Sequence, residues 1–220
     1  MKAEKDTYYF SVIFLGNYQV GKTALAQRLC NDIYEPEKLK VTYGVGFMTK
    51  ELVVDNKKIV LNIRDTAGDE RYHSLMKMYY NEVHGVFIVY DISNKNSLDK
   101  IKFWVDDLDI NGNSMERRVL VGNKTDLDKT RQVTQLEAKT LATNRHMDWC
   151  ECSAKTGEGV SDVLELLIRK MLSEYERNPD YRKIGIDDTF VSLSASICPV
   201  AERAGQHRDA NTADKKPKCC

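Results

Sequence analysis

Near its start the chain carries Gly16-Asn17-Tyr18-Gln19-Val20-Gly21-Lys22-Thr23, a G-x-x-x-x-G-K-T pattern whose residue types suit a polyphosphate. A phosphate needs several donors converging on its oxygens. A loop between a strand end and a helix N-terminus supplies backbone N–H groups, and the helix dipole assists them. Lys22 can reach the β- and γ-phosphates, and the Thr23 hydroxyl can sit on Mg²⁺. A pattern this degenerate also arises by chance. Here, however, the apolar run Val12-Ile13-Phe14-Leu15 precedes it as a strand, and Ala24-Leu25-Ala26-Gln27-Arg28-Leu29 follows as a helix opening.

Three further motifs sit where strand-like runs end. Asp65-Thr66-Ala67-Gly68 offers a carboxylate that can hold Mg²⁺ through water and a Gly68 N–H for a γ-phosphate oxygen. Read alone it is equally a strand terminator. Asn123-Lys124-Thr125-Asp126 places a carboxylate that can accept from guanine N1–H and the 2-amino group. Adenine offers no such pair and would leave that charge unpaired. In Ser153-Ala154-Lys155, backbone N–H groups can read guanine O6. Each motif is weak alone; in order, after the phosphate loop, they point to a guanine nucleotide. An ATP-using enzyme such as a kinase is disfavoured by Asp126 and by the lack of an acceptor-substrate lid.

The elements that must position these loops follow from periodicity. Residues 8–15 read as a strand, and 47–55 with 57–65 as a hairpin turning at Asp55-Asn56. Polar residues from Asp69 to Asn81 suggest a mobile helical segment. Val86–Tyr90 is apolar throughout, as a central parallel strand should be. Helices are expected at Ser97–Asn111 and Val133–Arg145, strands at Arg118–Gly122 and Met147–Cys152, and a strongly amphipathic helix from Val160. The fold class is therefore α/β: a mostly parallel six-stranded sheet with helices on both faces and one antiparallel hairpin strand. The 220 residues divide into a flexible N-terminus at 1–7, a nucleotide-binding domain at 8–177 and a flexible tail at 178–220. Lys+Arg and Asp+Glu both total 33, so no charge excess points to nucleic acid. No apolar run approaches a membrane span, the first residues carry no secretory h-region, and the cysteines form neither a disulfide framework nor a zinc pattern.

With these motifs in place, residues 8–176 resemble a Ras-superfamily small GTPase, and within it the Rab branch. The Rab likeness rests on Tyr43-Gly44-Val45-Gly46-Phe47, Arg71-Tyr72-His73-Ser74-Leu75, Tyr79-Tyr80, Ile88-Val89-Tyr90-Asp91-Ile92-Ser93 and the terminal Cys219-Cys220. The resemblance implies the P-loop small-GTPase fold and GTP/GDP with Mg²⁺ as ligands. It implies a nucleotide set of Gly16, Tyr18, Gln19, Val20, Gly21, Lys22, Thr23 and Ala24, then Tyr34 against the base, Thr42, Gly68, Asn123, Lys124, Asp126, Ser153, Ala154 and Lys155. Mg²⁺ would fall to Thr23, Thr42 and Asp65, and an effector surface to Phe47, Arg64 and Tyr79. Cys219 and Cys220 resemble a double geranylgeranylation site, physically apt because one lipid chain anchors only marginally and two anchor stably. Lys215, Lys216 and Lys218 would add attraction to anionic headgroups. The implied protein is a monomer on the cytosolic face of a membrane, with a soluble cytosolic pool. It would meet effectors, an exchange factor, a prenylation escort and a GDP-dissociation inhibitor, and work in vesicle traffic.

The chain departs from that family at sensitive places. Asp69 stands where a glutamine normally orients the attacking water; an aspartate can only accept, and its charge would face the γ-phosphate. Asp69 as a general base is the rescue reading. Tyr18 and Gln19 occupy positions that are small in the family, Tyr18 beside the place of an arginine finger. A positive φ at Gln19 would cost about 1–2 kcal/mol. Arg64 replaces a tryptophan, and switch I is one residue longer between Thr23 and Thr42. Weak GTP hydrolysis is therefore expected, with a constitutively GTP-loaded scaffold as the alternative. His73 and His84 read as solvent-facing or backbone-bonded, and Trp104 as packing.

Overall fold

In the computed structural model, residues 7–112, 117–178 and 181 are described. Strand β1 (Thr7–Leu15) sends Phe10, Val12 and Phe14 to one face of the sheet and Ile13 and Leu15 to the other, all of them buried. That alternation is the period of a strand, and burial on both faces marks β1 as central. It pairs in parallel with β3 (Lys57–Thr66) on one side and β4 (Gly85–Asp91) on the other. Beyond β3 lies antiparallel β2 (Val45–Val54); beyond β4 lie β5 (Arg118–Asn123) and β6 (Asp148–Glu151). The order is β2-β3-β1-β4-β5-β6, parallel except at β2, so the expected sheet is the one observed.

The β2–β3 hairpin turns at Asp55 and Asn56, with φ of 49° and 60°. Two successive left-handed residues make the turn whose twist matches that of the strands, and Asn and Asp tolerate that region. Helices α1 (Lys22–Asn31) and α6 (Val160–Arg177) cover one face. In α6, Val160, Val163, Leu164, Leu167, Ile168 and Met171 recur every three or four residues and are buried, which is the amphipathic stripe seen in the sequence. The other face is covered by α2 (His73–Lys77), α3 (Lys95–Asp99), α4 (Ile101–Asn111) and α5 (Gln135–Asn144).

Some boundaries differ from expectation. The single helix expected at 97–111 is divided at Lys100 into α3 and α4: Lys100 keeps helical angles and donates to Asn96 O as in an α-helix, but Phe103 N closes on Lys100 O over only three residues. Helix α5 starts later than expected because Thr134 caps it, its hydroxyl and the Glu137 carboxylate satisfying each other's backbone N–H groups. The segment after Gly68 is not one helix but two 3-10 turns, Glu70–Tyr72 and Tyr80–Glu82, flanking α2. Tyr181, inside the expected tail, is 2% exposed. Its hydroxyl donates to His84 O at 2.8 Å, and its ring packs 4.1 Å from the Arg117 guanidinium. An aromatic whose polar end is satisfied is stable in such a pocket. The remaining tail, Cys219 and Cys220 included, lies outside the described residues.

Candidate nucleotide site

Strand order reverses at β1, whose neighbours β3 and β4 come later in the chain on opposite sides, so a crevice opens at its carboxyl end. Residues 16–21 occupy that crevice and lead into α1. A cleft of about 560 Å³ lies over them. It gathers Tyr18, Gln19, Gly21, Lys22, Thr23, Ala24, Tyr34, Thr42, Gly68, Asp69, Asn123, Lys124, Asp126, Ala154 and Lys155. Gly16, Val20, Asp65 and Ser153 are close by but do not line the cleft; they are buried beneath it as supports. Thr66 of the Asp65–Gly68 motif also lines it, as do Leu39, Lys40, Val41 and Leu127, which no sequence signal singled out.

The phosphate end is tightly built. Lys22 is 5% exposed, and its ammonium donates to the carbonyls of Gly16 at 2.8 Å and Asn17 at 2.9 Å. Gly21 has φ 92°, and a Cβ there would lie 2.4 Å from the Asn123 amide nitrogen, so the turn into α1 requires glycine. Gly68 presses on the same loop: a Cβ would fall 2.4 Å from Tyr18 N and 2.5 Å from Asn17 O. Gln19 does adopt the left-handed region, at φ 62°, a strain of about 1–2 kcal/mol for a residue with a Cβ. Tyr18 is half exposed.

Three oxygens from separate elements meet beside Lys22. Thr23 Oγ1 donates to Asp65 Oδ2 at 2.7 Å, and Thr42 Oγ1 lies 2.7 Å from Thr23 Oγ1 and 3.4 Å from Asp65 Oδ2. Asp65 Oδ1 is buried without a hydrogen-bond partner. Burial raises the Asp65 carboxyl above its usual range, while Thr23, Lys22 and Thr42 partly offset it. An orphaned carboxylate oxygen next to two hydroxyls fits a hard cation such as Mg²⁺, which completes its shell with water and substrate phosphates. Among the described residues no cluster of three His, Cys, Asp or Glu side chains exists, in keeping with so sparse a ligand set.

Burial also brings the Lys22 ammonium down to about 8, with Asp65 the lesser, opposing influence. Polyphosphate favours the charged form, so above pH 8 the empty protein must take up a proton to bind. Affinity for a nucleoside triphosphate should therefore fall by up to about ten-fold per pH unit above that point. Competition titrations between pH 7.5 and 9 check this against Lys22→Arg, whose guanidinium does not titrate there. Equal pH slopes for the two proteins would refute it.

At the base end, Ser153 Oγ donates to Asp126 Oδ1 at 2.6 Å and the Lys155 ammonium lies 3.7 Å from Asp126 Oδ2. Asn123 ties the loops together, donating to Val20 O at 2.9 Å and accepting from Ala154 N at 3.1 Å. Lys124 donates to Gln19 O at 2.8 Å and pairs with Asp91 at 2.7 Å. Arg28, which the sequence did not single out, holds the carbonyls of Ala154 at 2.9 Å and Lys155 at 2.8 Å from α1.

Around Gly68, the Asp69 carboxylate is clasped by Arg71. Oδ2 receives Nη2 at 2.7 Å, Nε reaches both oxygens at 3.0 Å, and the Arg71 backbone N–H meets Oδ1 at 2.9 Å. These guanidinium bonds, then the backbone N–H, hold Asp69 down at about 2. His73 is neither solvent-facing nor backbone-bonded, contrary to expectation: its Nε2 meets Asp107 Oδ2 at 2.6 Å. His84 is the backbone-bonded one, its Nδ1 accepting from Ser11 N at 3.0 Å, and burial keeps it neutral by lowering it to about 3. On the flank, Phe47 is 52% exposed and meets Tyr79 edge-on at 6.1 Å. Arg64 is only 4% exposed: it lies under the Tyr79 ring and pairs with Glu82 at 3.1 Å. The effector surface expected there thus presents the two aromatic rings rather than a free positive charge.

The Ras family model matches residues 11–173. The Ras-related protein RABA5c of Arabidopsis thaliana is 32% identical over 191 residues, covering 86% of this chain and 89% of the relative. The Ras-related protein Rab-1 of Theileria parva is 36% identical over 78% of each chain, and human Ras-related protein Rab-8B is 34% identical over 80% of this chain and 84% of its own.

Proposed function

The chain belongs to the Ras family of small GTPases, in its Rab branch, and on that premise we propose a membrane-anchored GTP/GDP switch of vesicle traffic that hydrolyses GTP slowly. The observation that carries the switch is the meeting of Thr42 with Thr23 and Asp65. Thr42 lies in the segment between α1 and β2, so its hydroxyl links a movable loop to the phosphate loop and the sheet. Thr23, Thr42 and Asp65 would hold Mg²⁺, which neutralises charge building on the phosphates. Lys22 orients the β- and γ-phosphates, Gly68 offers its N–H to the γ-phosphate, and Asp126 selects guanine, with Ala154 and Lys155 at O6. Loss of the γ-phosphate removes what Thr42 and Gly68 hold, and both segments relax.

Slow hydrolysis follows from three local features. Asp69 cannot donate to the transferring phosphoryl, its acceptor oxygens are engaged by Arg71, and the Tyr18 side chain lines the same cleft. The general-base role for Asp69 would require that clasp to open. The same clasp favours the alternative of a permanently GTP-loaded scaffold. Nucleotide content of protein isolated from cells separates the two, a scaffold being almost wholly GTP-bound.

For the anchor, Cys219 and Cys220 would carry geranylgeranyl groups, and Phe47 with Tyr79 would meet effectors. Among the described residues no helix is long and apolar enough to cross a membrane, so a lipid anchor is the proposed route to the cytosolic face. Exchange factor, prenylation escort and GDP-dissociation inhibitor are the expected further partners. The deciding experiment measures displacement of a fluorescent guanine nucleotide by GTP and by ATP, together with localisation of a tagged chain with and without both cysteines. ATP competing as well as GTP would overturn the switch, and unchanged localisation would overturn the anchor.

A further inference from the structure

Trp104 lies on α4, 2% exposed, and its indole N–H donates to Asn17 Oδ1 at 3.0 Å. Asn17 is the phosphate-loop residue whose carbonyl takes the Lys22 ammonium at 2.9 Å. An ammonium has three donors. With two directed at the Gly16 and Asn17 carbonyls, the direction of the third is fixed by where those carbonyls sit. Asn17 also bears on the start of switch II, since its carbonyl lies 2.5 Å from where a Gly68 Cβ would be. The indole itself is held in place. The His73 ring meets it edge-on at 5.8 Å, and His73 is bonded to Asp107, which also pairs with Lys77 at 3.1 Å.

We propose that Trp104 is a positioning residue for the nucleotide: its indole N–H holds Asn17, and the Asn17 carbonyl aims Lys22 at the phosphates. This rests on the nucleotide-binding reading above. Without the indole donor the Asn17 amide loses its fixed partner, the loop tilts, and the third Lys22 donor no longer converges on a phosphate oxygen. A change on α4, outside the cleft, then appears as faster nucleotide release.

The chain carries its own control. Its other tryptophan, Trp149, donates its indole N–H to the Tyr90 hydroxyl at 3.1 Å, away from the phosphate loop. The full-length protein is loaded with fluorescent GDP and chased with excess GDP. Trp104→Phe keeps the aromatic packing, deletes the donor and should speed release about three- to ten-fold, the range for one hydrogen bond. Trp149→Phe should release at the wild-type rate. Asn17→Ala should match Trp104→Phe, and the double variant should be no faster than either single. The proposal is overturned if Trp104→Phe releases at the wild-type rate, if both tryptophan variants accelerate equally, or if the two single effects multiply in the double. Should Trp104→Phe not fold, Asn17→Ala must both accelerate release and shift the Trp104 indole N–H resonance, and failure of either overturns it. A wild-type protein that takes up no GDP would instead refute nucleotide binding itself.

Discussion

Asp69→Gln is expected to raise single-turnover GTP hydrolysis by about ten- to a hundred-fold, the scale of restoring one oriented donor to a transition state. The present side chain faces the site as an acceptor only, and both its oxygens are occupied by Arg71. Glutamine, one methylene longer, removes the charge that opposes the γ-phosphate and dissolves the clasp. Its amide both accepts from water and donates to phosphoryl oxygen. Tyr18→Gly in the same background should add to the gain by clearing the space above the loop. Arg71→Ala separates a missing donor from base catalysis. It frees Asp69 Oδ2 while Oδ1 keeps the backbone N–H of residue 71, so a base mechanism would accelerate, whereas a site that lacks a donor gains nothing from a freed acceptor and should show no increase. A rate for Asp69→Gln equal to that of the wild type would refute the missing-donor explanation.

Asp126→Ala should lower GTP affinity by about a thousand-fold or more and bring GTP and ATP close to parity. On the proposed reading the carboxylate accepts from the base: Ser153 Oγ fixes one oxygen, and the Lys155 ammonium lies 3.7 Å from the other. Removing it leaves the guanine N1–H and 2-amino donors without their acceptor in the complex, the kind of loss in which polar discrimination is largest. The supports of the cleft do not depend on it. Asn123 still joins Val20 O to Ala154 N, and Arg28 still holds the Ala154 and Lys155 carbonyls. The variant should therefore remain folded. Competition titration with GTP and ATP, with thermal unfolding as the fold check, decides the matter; retention of more than a tenth of the GTP affinity would sink the assignment.

Local signals carried the fold a long way. The uninterrupted apolar run at 86–90 identified a strand covered on both faces, and Asp55-Asn56 identified the hairpin turn, because both depend on residues adjacent in the chain. The Gly16–Thr23, Asp65–Gly68, Asn123–Asp126 and Ser153–Lys155 motifs, which the structure gathers around one cleft, were readable for the same reason, each being a short run at a strand end, whereas Tyr34 and Thr42 were implied only by the family resemblance. What could not be read depends on long-range partners. Arg28 reaches a carbonyl 126 residues away, and Trp104 an amide 87 away. Nothing near Trp104 in sequence distinguishes an indole that only packs from one that also donates. Arg64 was placed on the effector surface because the resemblance puts a tryptophan there; Tyr79 and Glu82 supply the ring and the carboxylate that let it be buried. The Asp69–Arg71 pair spans only two residues, but whether such neighbours clasp depends on the turn between them, here a tight 3-10 turn.

The Thr42 contact has a thermodynamic corollary. Among the described residues, the side-chain hydrogen bonds that leave the segment 33–43 are those of Thr42, while Tyr34 and Leu39 pack against the core. A bond of that kind contributes about 0.5–1.5 kcal/mol net, so the Thr42 hydroxyl weights the closed arrangement by about two- to twelve-fold on top of the apolar contacts of Tyr34 and Leu39. A contribution of that size is matched by a partner whose affinities for the two arrangements differ by about ten-fold. On the proposed reading, the Thr42 hydroxyl would thus leave switch I open to bias by the γ-phosphate from within or by a regulatory surface from without.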